Sequence, residues 1–136
     1  MRAGGAGPFD PLEDQRYMRL ITFRRSGEGV STTVWFAPLM EGKVYVFTAA
    51  NSGKAKRIRN DGRVTLTPSN FRGKPKTTVS IEAEARIMGR EEEGMPDRAI
   101  NRKYGWQYRL FNRILELPKN PPEHVFLELH PAEDSE

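Results

Sequence analysis

The chain has 136 residues, enough for one domain with a real core and too few for two. It holds no cysteine and only two histidines, His124 and His130, which excludes disulfides, thiolate metal sites and cysteine nucleophiles and argues against a histidine metal centre. Lys and Arg number 22 against 18 Asp and Glu, a formal charge of +4, and residues 48–68 alone hold Lys54, Lys56, Arg57, Arg59 and Arg63 against the single acid Asp61. The basic excess is local, whereas a general nucleic-acid coat would spread it along a face or a tail. A second basic cluster, Arg98, Arg102, Lys103, Arg109 and Arg113, is balanced by acidic runs at Glu91–Glu93 and at the C-terminus. No apolar run approaches the ~20 residues of a membrane span, and MRAGGAGPFDP has no hydrophobic signal core, so a cytoplasmic protein without a membrane partner is expected.

In chain order, residues 1–15 read as a flexible leader and 17–25, YMRLITFRR, as a first strand closed by the turn at Ser26–Gly29. Residues 30–37 alternate, with Val30, Thr32, Val34 and Phe36 on one face and Ser31, Thr33 and Trp35 on the other, which predicts a second half-buried strand. A third strand covers 43–49, with Val44, Val46 and Thr48 opposite Tyr45 and Phe47. Ser52 is placed to cap a short helix through KAKRIRN, ended at Asp61 and Gly62. Strands at 63–68 and 77–88 follow, then a helix from about Pro96 to Pro118, interrupted by Gly105. Tyr104, Tyr108, Phe111 and Leu115 share one face of that helix, extended by Leu110, Ile114 and Leu117, with Arg102, Arg109 and Arg113 opposite. A last strand at 124–129 precedes an acidic tail, 131–136. Six strands with short connections predict a mainly β domain over 16–130, an antiparallel sheet closed as a small barrel with accessory helices.

The basic segment therefore runs from a strand end through a polar turn into the first turn of a helix, where free N–H groups and the helix dipole favour an anion. Gly53 lets backbone approach a ligand, and Lys54 and Lys56 reach the same point. This is phosphate-binding equipment without the spacing of a nucleotide loop, since GxxxxGK[ST] and GxGxxG are both absent. The plain alternative is a solvated basic helix.

The succession LITFRRSGEGVSTTVWF, KVYVFTAANSGKAKRIRNDGRVTLTP and a long strand resembles the pyridoxamine 5'-phosphate oxidase-like split-barrel superfamily. Within it, SGKAKRIRNDGRVTL, the RGKP turn at Arg72–Pro75 and KYGWQYRLFNRI at 103–114 resemble the deazaflavin-dependent branch that uses coenzyme F420. The first motif is specific to the superfamily; the helix motif points to the branch. The likeness spans residues 16–130 and implies that the six expected strands form a flavin-binding split β-barrel, a homodimer with cofactor sites at its interface, and an oxidoreductase acting on a small molecule. Carried over residue by residue, it assigns Ser52, Lys54, Lys56 and Arg57 to the phosphate-binding turn, to which the reading of the residues adds Gly53. Thr32, Thr33, Val34 and Trp35 fall on the strand along the tricyclic ring, with Thr48 at the end of its neighbour. Where the family pattern has Thr-Pro before Val34 and Trp35, this chain has Thr33 in the proline's place.

No Ser/His/Asp set or paired carboxylates can be placed in a pocket, so no catalytic residue is assigned; hydride chemistry would come from the cofactor. Coenzyme F420 carries a longer anionic tail than FMN, and the five cations with Arg72, Lys74 and Lys76 suit it better, with FMN the alternative. Two rivals remain: a flavin or haem carrier without turnover, and a barrel binding single-stranded nucleic acid through RLFNR and YGWQYR. A dimer is expected to cover apolar strand surface at Trp35, Tyr45 and Phe47.

Overall fold

A computed structural model describes residues 8–40, 42–50, 52–115 and 124–132. Strands β1 (Tyr17–Phe23), β2 (Gly29–Val34), β3 (Phe36–Met40), β4 (Lys43–Ala49), β5 (Arg63–Ser69), β6 (Ile81–Ile87) and β7 (His124–Pro131) form one sheet. Its order is β2-β1-β5-β6-β7-β4-β3, with every neighbouring pair antiparallel. The outermost strands, β2 and β3, are consecutive in the chain and separated only by Trp35. One covalent step thus joins the two edges of the curled sheet, a half-barrel.

The expected mainly β antiparallel barrel is found, with seven strands instead of six. The alternating run at 30–37 is two strands. Its ladder to β1 ends at Val34, opposite Met18, and its ladder to β4 begins at Phe36, opposite Val46. Alternation of residue types continues through Trp35, so it carries no mark of a change of partner.

Two packed clusters flank the sheet. Met18, Leu20, Val34, Phe36, Val46, Leu66 and Leu129 are among the side chains that fill the interior. Residues 8–15, read from the sequence as part of a leader, bring Phe9 and Leu12 into that interior on a 3-10 turn, Asp10–Leu12. The second cluster lies outside the sheet, where α2 (Gly94–Tyr104) and α3 (Trp106–Leu115) bring Ile100, Tyr104 and Tyr108 onto Tyr45, Phe47 and Phe126. Strand β4 is therefore covered on both faces: Val44 and Val46 point inward, while Tyr45 and Phe47 meet the helices. Tyr45 and Phe47 need no second subunit to bury them, which removes that part of the sequence argument for a dimer.

The long helix expected at 96–118 is two helices, because Gly105 takes φ 58 and ends α2. Helical periodicity does not carry across that break, and Leu110, expected on the buried face, is 49% exposed beside Trp106 at 66%. Phe111, Arg113, Ile114, Leu115, Leu117 and Pro118 lie outside the described side chains. The strand expected from 77 begins at Ile81: the Thr77 hydroxyl accepts the Val79 N–H at 3.2 Å, a local side-chain turn in place of a ladder bond.

Candidate cofactor site

The short helix α1 (Gly53–Asn60) forms where the sequence places it. Ser52 is extended, its Oγ accepts the Ala55 N–H at 3.1 Å, and its carbonyl accepts that of Lys56. The N–H groups of Gly53 and Lys54 are left at the helix end, where the dipole is positive. Thr48, at the end of β4, lies 3.2 Å hydroxyl to hydroxyl from Ser52, and Arg59 donates to the Ala50 carbonyl at 3.0 Å. These bonds fix the helix end against the strand it follows.

In front of this end lies a cleft of about 380 Å³ lined by Thr33, Val34, Trp35, Phe47, Thr48, Ala49, Ser52 and Lys54. Six of the ten residues assigned from the sequence meet there: Thr33, Val34, Trp35, Thr48, Ser52 and Lys54. Phe47 and Ala49, which the sequence reading left out, enter as the neighbours of Thr48 on β4. Thr32 pairs with Leu20 in the β1 ladder and does not line the cleft.

Lys56 and Arg57 face elsewhere, into a depression of about 310 Å³ with Phe23, Arg24, Arg25 and Asn60. Arg57 Nε donates to the Thr22 hydroxyl at 2.6 Å, and its Nη1 lies 2.9 Å from where a Cβ on Gly53 would stand. The missing Cβ of Gly53 makes room for this guanidinium. Arg57 thus crosses the first turn of α1 and carries positive charge from the cleft toward the depression.

Burial lowers the pKa of Lys54, with a further push from the Arg57 charge. Among the described residues no carboxylate pairs with this half-buried ammonium. An anion would relieve both penalties. At the other wall, Thr33 is in register with Arg19 in the β1 ladder. The loop carrying Arg72 and Lys74 rests on Thr33: Gly73 has φ 85, and a Cβ there would lie 2.5 Å from Thr33 Oγ1. Asn70 Oδ1 holds the loop by accepting the N–H groups of Arg72 and Lys74 at 2.9 and 3.0 Å.

Trp35 is half-buried and stacks on Tyr104, centroid to centroid 4.6 Å with 9° between planes. The cleft therefore combines an aromatic wall, hydroxyls and a positive helix end, the donor set a flat ring with an anionic tail requires. A larger cleft of about 450 Å³, lined by Leu12 to Arg16 with Arg102 and Lys103, has no aromatic wall and mixes Glu13 and Asp14 with its cations. Burial brings the Lys103 amine down to about 8, but its Nζ already donates to the Phe36 carbonyl at 3.0 Å. Among the described residues no cluster of three potential metal ligands occurs, and no helix is long and apolar enough to cross a membrane.

The sequence pattern of the pyridoxamine 5'-phosphate oxidase family matches residues 9–134. No curated protein matches the chain in sequence. Among solved structures, the chain is similar to an F420 reductase, with 16% identity and a TM-score of 0.58 over 92% of this chain and 93% of that one. It is similar to a pyridoxamine 5'-phosphate oxidase-related, FMN-binding protein of Nostoc punctiforme at 18% identity and TM-score 0.56, over 91% and 76% of the two chains. The haem storage protein of Vibrio cholerae aligns at 12% identity and TM-score 0.63, over 90% and 85%. At these identities the likeness is one of fold.

Proposed function

The chain belongs to the pyridoxamine 5'-phosphate oxidase family, and on that premise we propose that it is an oxidoreductase using a flavin-type cofactor, coenzyme F420 before FMN. The acceptor in this proposal is a small conjugated organic molecule. The observation that carries it is Lys54: a half-buried ammonium with no counter-ion among the described residues, at a capped helix end, opening into the same cleft as Trp35.

Ser52, Gly53 and Lys54 would hold the cofactor's phosphate with a hydroxyl, helix-end N–H groups and an ammonium. Thr33, Val34, Trp35 and Thr48 would flank its ring. When bound, the cofactor supplies hydride transfer, and the chain supplies binding, orientation and charge. Among the described residues Lys54 is the only titratable side chain lining the cleft, so their contribution to a proton balance there rests on that amine. F420 stands before FMN because positive charge does not end at Lys54. It continues through Arg57 to Lys56, Arg24 and Arg25, a longer track than one phosphate needs. A homodimer with the cleft at its interface is part of the proposal.

The test is to titrate the protein with F420 and with FMN at several salt concentrations. F420 is expected to bind more tightly, and its affinity to fall more steeply with salt, because more exposed charge pairs are screened over a Debye length of about 8 Å at physiological ionic strength. Tighter FMN binding would move the assignment to FMN. Binding of oligonucleotides with neither cofactor retained would end it. A second reading, a carrier without turnover, is favoured by the lack of a carboxylate or histidine among the described residues lining the cleft. Tight binding with no oxidation of the reduced cofactor by any enone or related conjugated acceptor would select it.

A further inference from the structure

Trp35 stands where the chain leaves β2 for β3, between the two ladders, so strand pairing does not fix its side chain. Stacked on it is Tyr104, the last residue of α2 before Gly105 ends that helix. Tyr104 is 3% exposed. Its hydroxyl donates to the carbonyl of Arg16 and accepts the Phe36 N–H at 3.1 Å, and burial raises its pKa to about 12, which keeps the proton in place. The Arg16 guanidinium lies 4.9 Å from the centre of the Tyr104 ring. Arg16, Tyr104 and Trp35 thus form a column, and the indole at its end also lines the cleft.

We propose that Tyr104 is a positioning residue for ring recognition: clamped between β1's entry, β3 and Arg16, it holds the Trp35 indole in the one orientation that presents it to a planar ligand ring. This inference rests on the cofactor proposal above. It assigns the two ends of the cleft separable tasks. Lys54 and the α1 end take the anion, and the Arg16–Tyr104–Trp35 column takes the ring. Stacking of aromatic pairs is directional, so an indole free to rotate would present its edge as often as its face and lose ring affinity without losing anion affinity.

The test uses a Trp106→Phe background, which leaves Trp35 as the only tryptophan, since the chain has two. Tyr104→Leu and Tyr104→Phe are compared with this parent by time-resolved anisotropy of Trp35. Titration with riboflavin and its 8-hydroxy-5-deaza analogue probes the ring without the phosphate; inorganic phosphate probes the anion end. Tyr104→Leu is expected to add fast local motion to Trp35 and to weaken ring binding roughly threefold to tenfold, the range for one lost aromatic stack, with phosphate affinity unchanged. Tyr104→Phe, which keeps the ring and loses the hydroxyl, is expected to recover most of the ring affinity. Should Tyr104→Leu fail to fold, Arg16→Met removes the outer layer of the column and is expected to give the same split in smaller measure.

An unchanged Trp35 anisotropy decay, or equal losses of ring and phosphate affinity in a folded variant, would overturn the proposal. A parent that binds neither ring would end the cofactor proposal and this one with it. A parent that binds a ring while Tyr104→Leu binds it equally well would end this one alone.

Discussion

Lys54 is held partly out of water beside another cation, so its ammonium gains most when an anion arrives. Lys54→Ala is expected to weaken binding of the phosphate-bearing cofactor by about 1 to 3 kcal/mol, the range of a charge-assisted hydrogen bond. The thermal midpoint of the free protein should stay near that of the parent, because no described carboxylate loses a partner. Calorimetric titration beside a thermal melt checks both, and unchanged affinity in a folded variant would return α1 to a solvated basic helix. At this scale the sequence was legible where chemistry is local. Ser52 could be identified as a cap because capping needs only a short hydroxyl residue before a helical run, and the cations after it are explicit. That the space beside Gly53 holds a guanidinium was not legible, since that group comes from Arg57, one helical turn on, and its direction depends on Thr22 in a distant strand.

Among the elements, the docking of the 3-10 turn Arg90–Glu92 on the sheet depends on charge. The Arg86 guanidinium bonds Glu92 at 2.8 and 3.1 Å and Glu128 at 2.8 Å, and Glu92 also accepts the Gly89 N–H at 2.8 Å. The Arg86 bond first, then that from Gly89, brings the Glu92 carboxyl down from 4.5 to about 2. A carboxyl whose pKa is depressed on folding adds stability that is fully present above its unfolded value and lost as pH falls through its folded value. The window here is pH 4.5 to about 2. Glu92→Gln should flatten the fall of the urea midpoint across that window and leave the slope above pH 6 unchanged; an identical acid limb would contradict it. Strand β4 shows what an element can hide. Its sequence alternates small and large apolar residues, a pattern that fits one buried face, yet both faces are covered because α2 and α3 arrive from residues some fifty positions further on. Similarly, Gly105 was visible as an interruption, but whether a helical glycine is tolerated or ends the helix depends on its φ, which its identity permits and does not dictate.

For the molecule as a whole, strand count and closure lay beyond local pattern. An alternating run cannot report that it changes partner at Trp35, because both ladders are antiparallel and both keep the period of two. The site was more legible than the topology: it is assembled mostly from two short stretches, 33–35 and 47–54, each with its own chemical signature. Its remaining support, Tyr104 and Arg16, comes from residues whose composition reads equally well as helix packing and surface charge. The expectation of a dimer now rests on the family resemblance alone, since the helices already bury Tyr45 and Phe47. Native mass spectrometry after incubation with F420 or FMN, with excess ligand removed, reads cofactor retention and oligomeric state in one spectrum. The expected species has twice the 15.5 kDa chain mass and carries one cofactor per chain, with F420 retained at higher occupancy than FMN. A chain that retains neither cofactor at saturating concentration, whether as a monomer or a dimer, would contradict it.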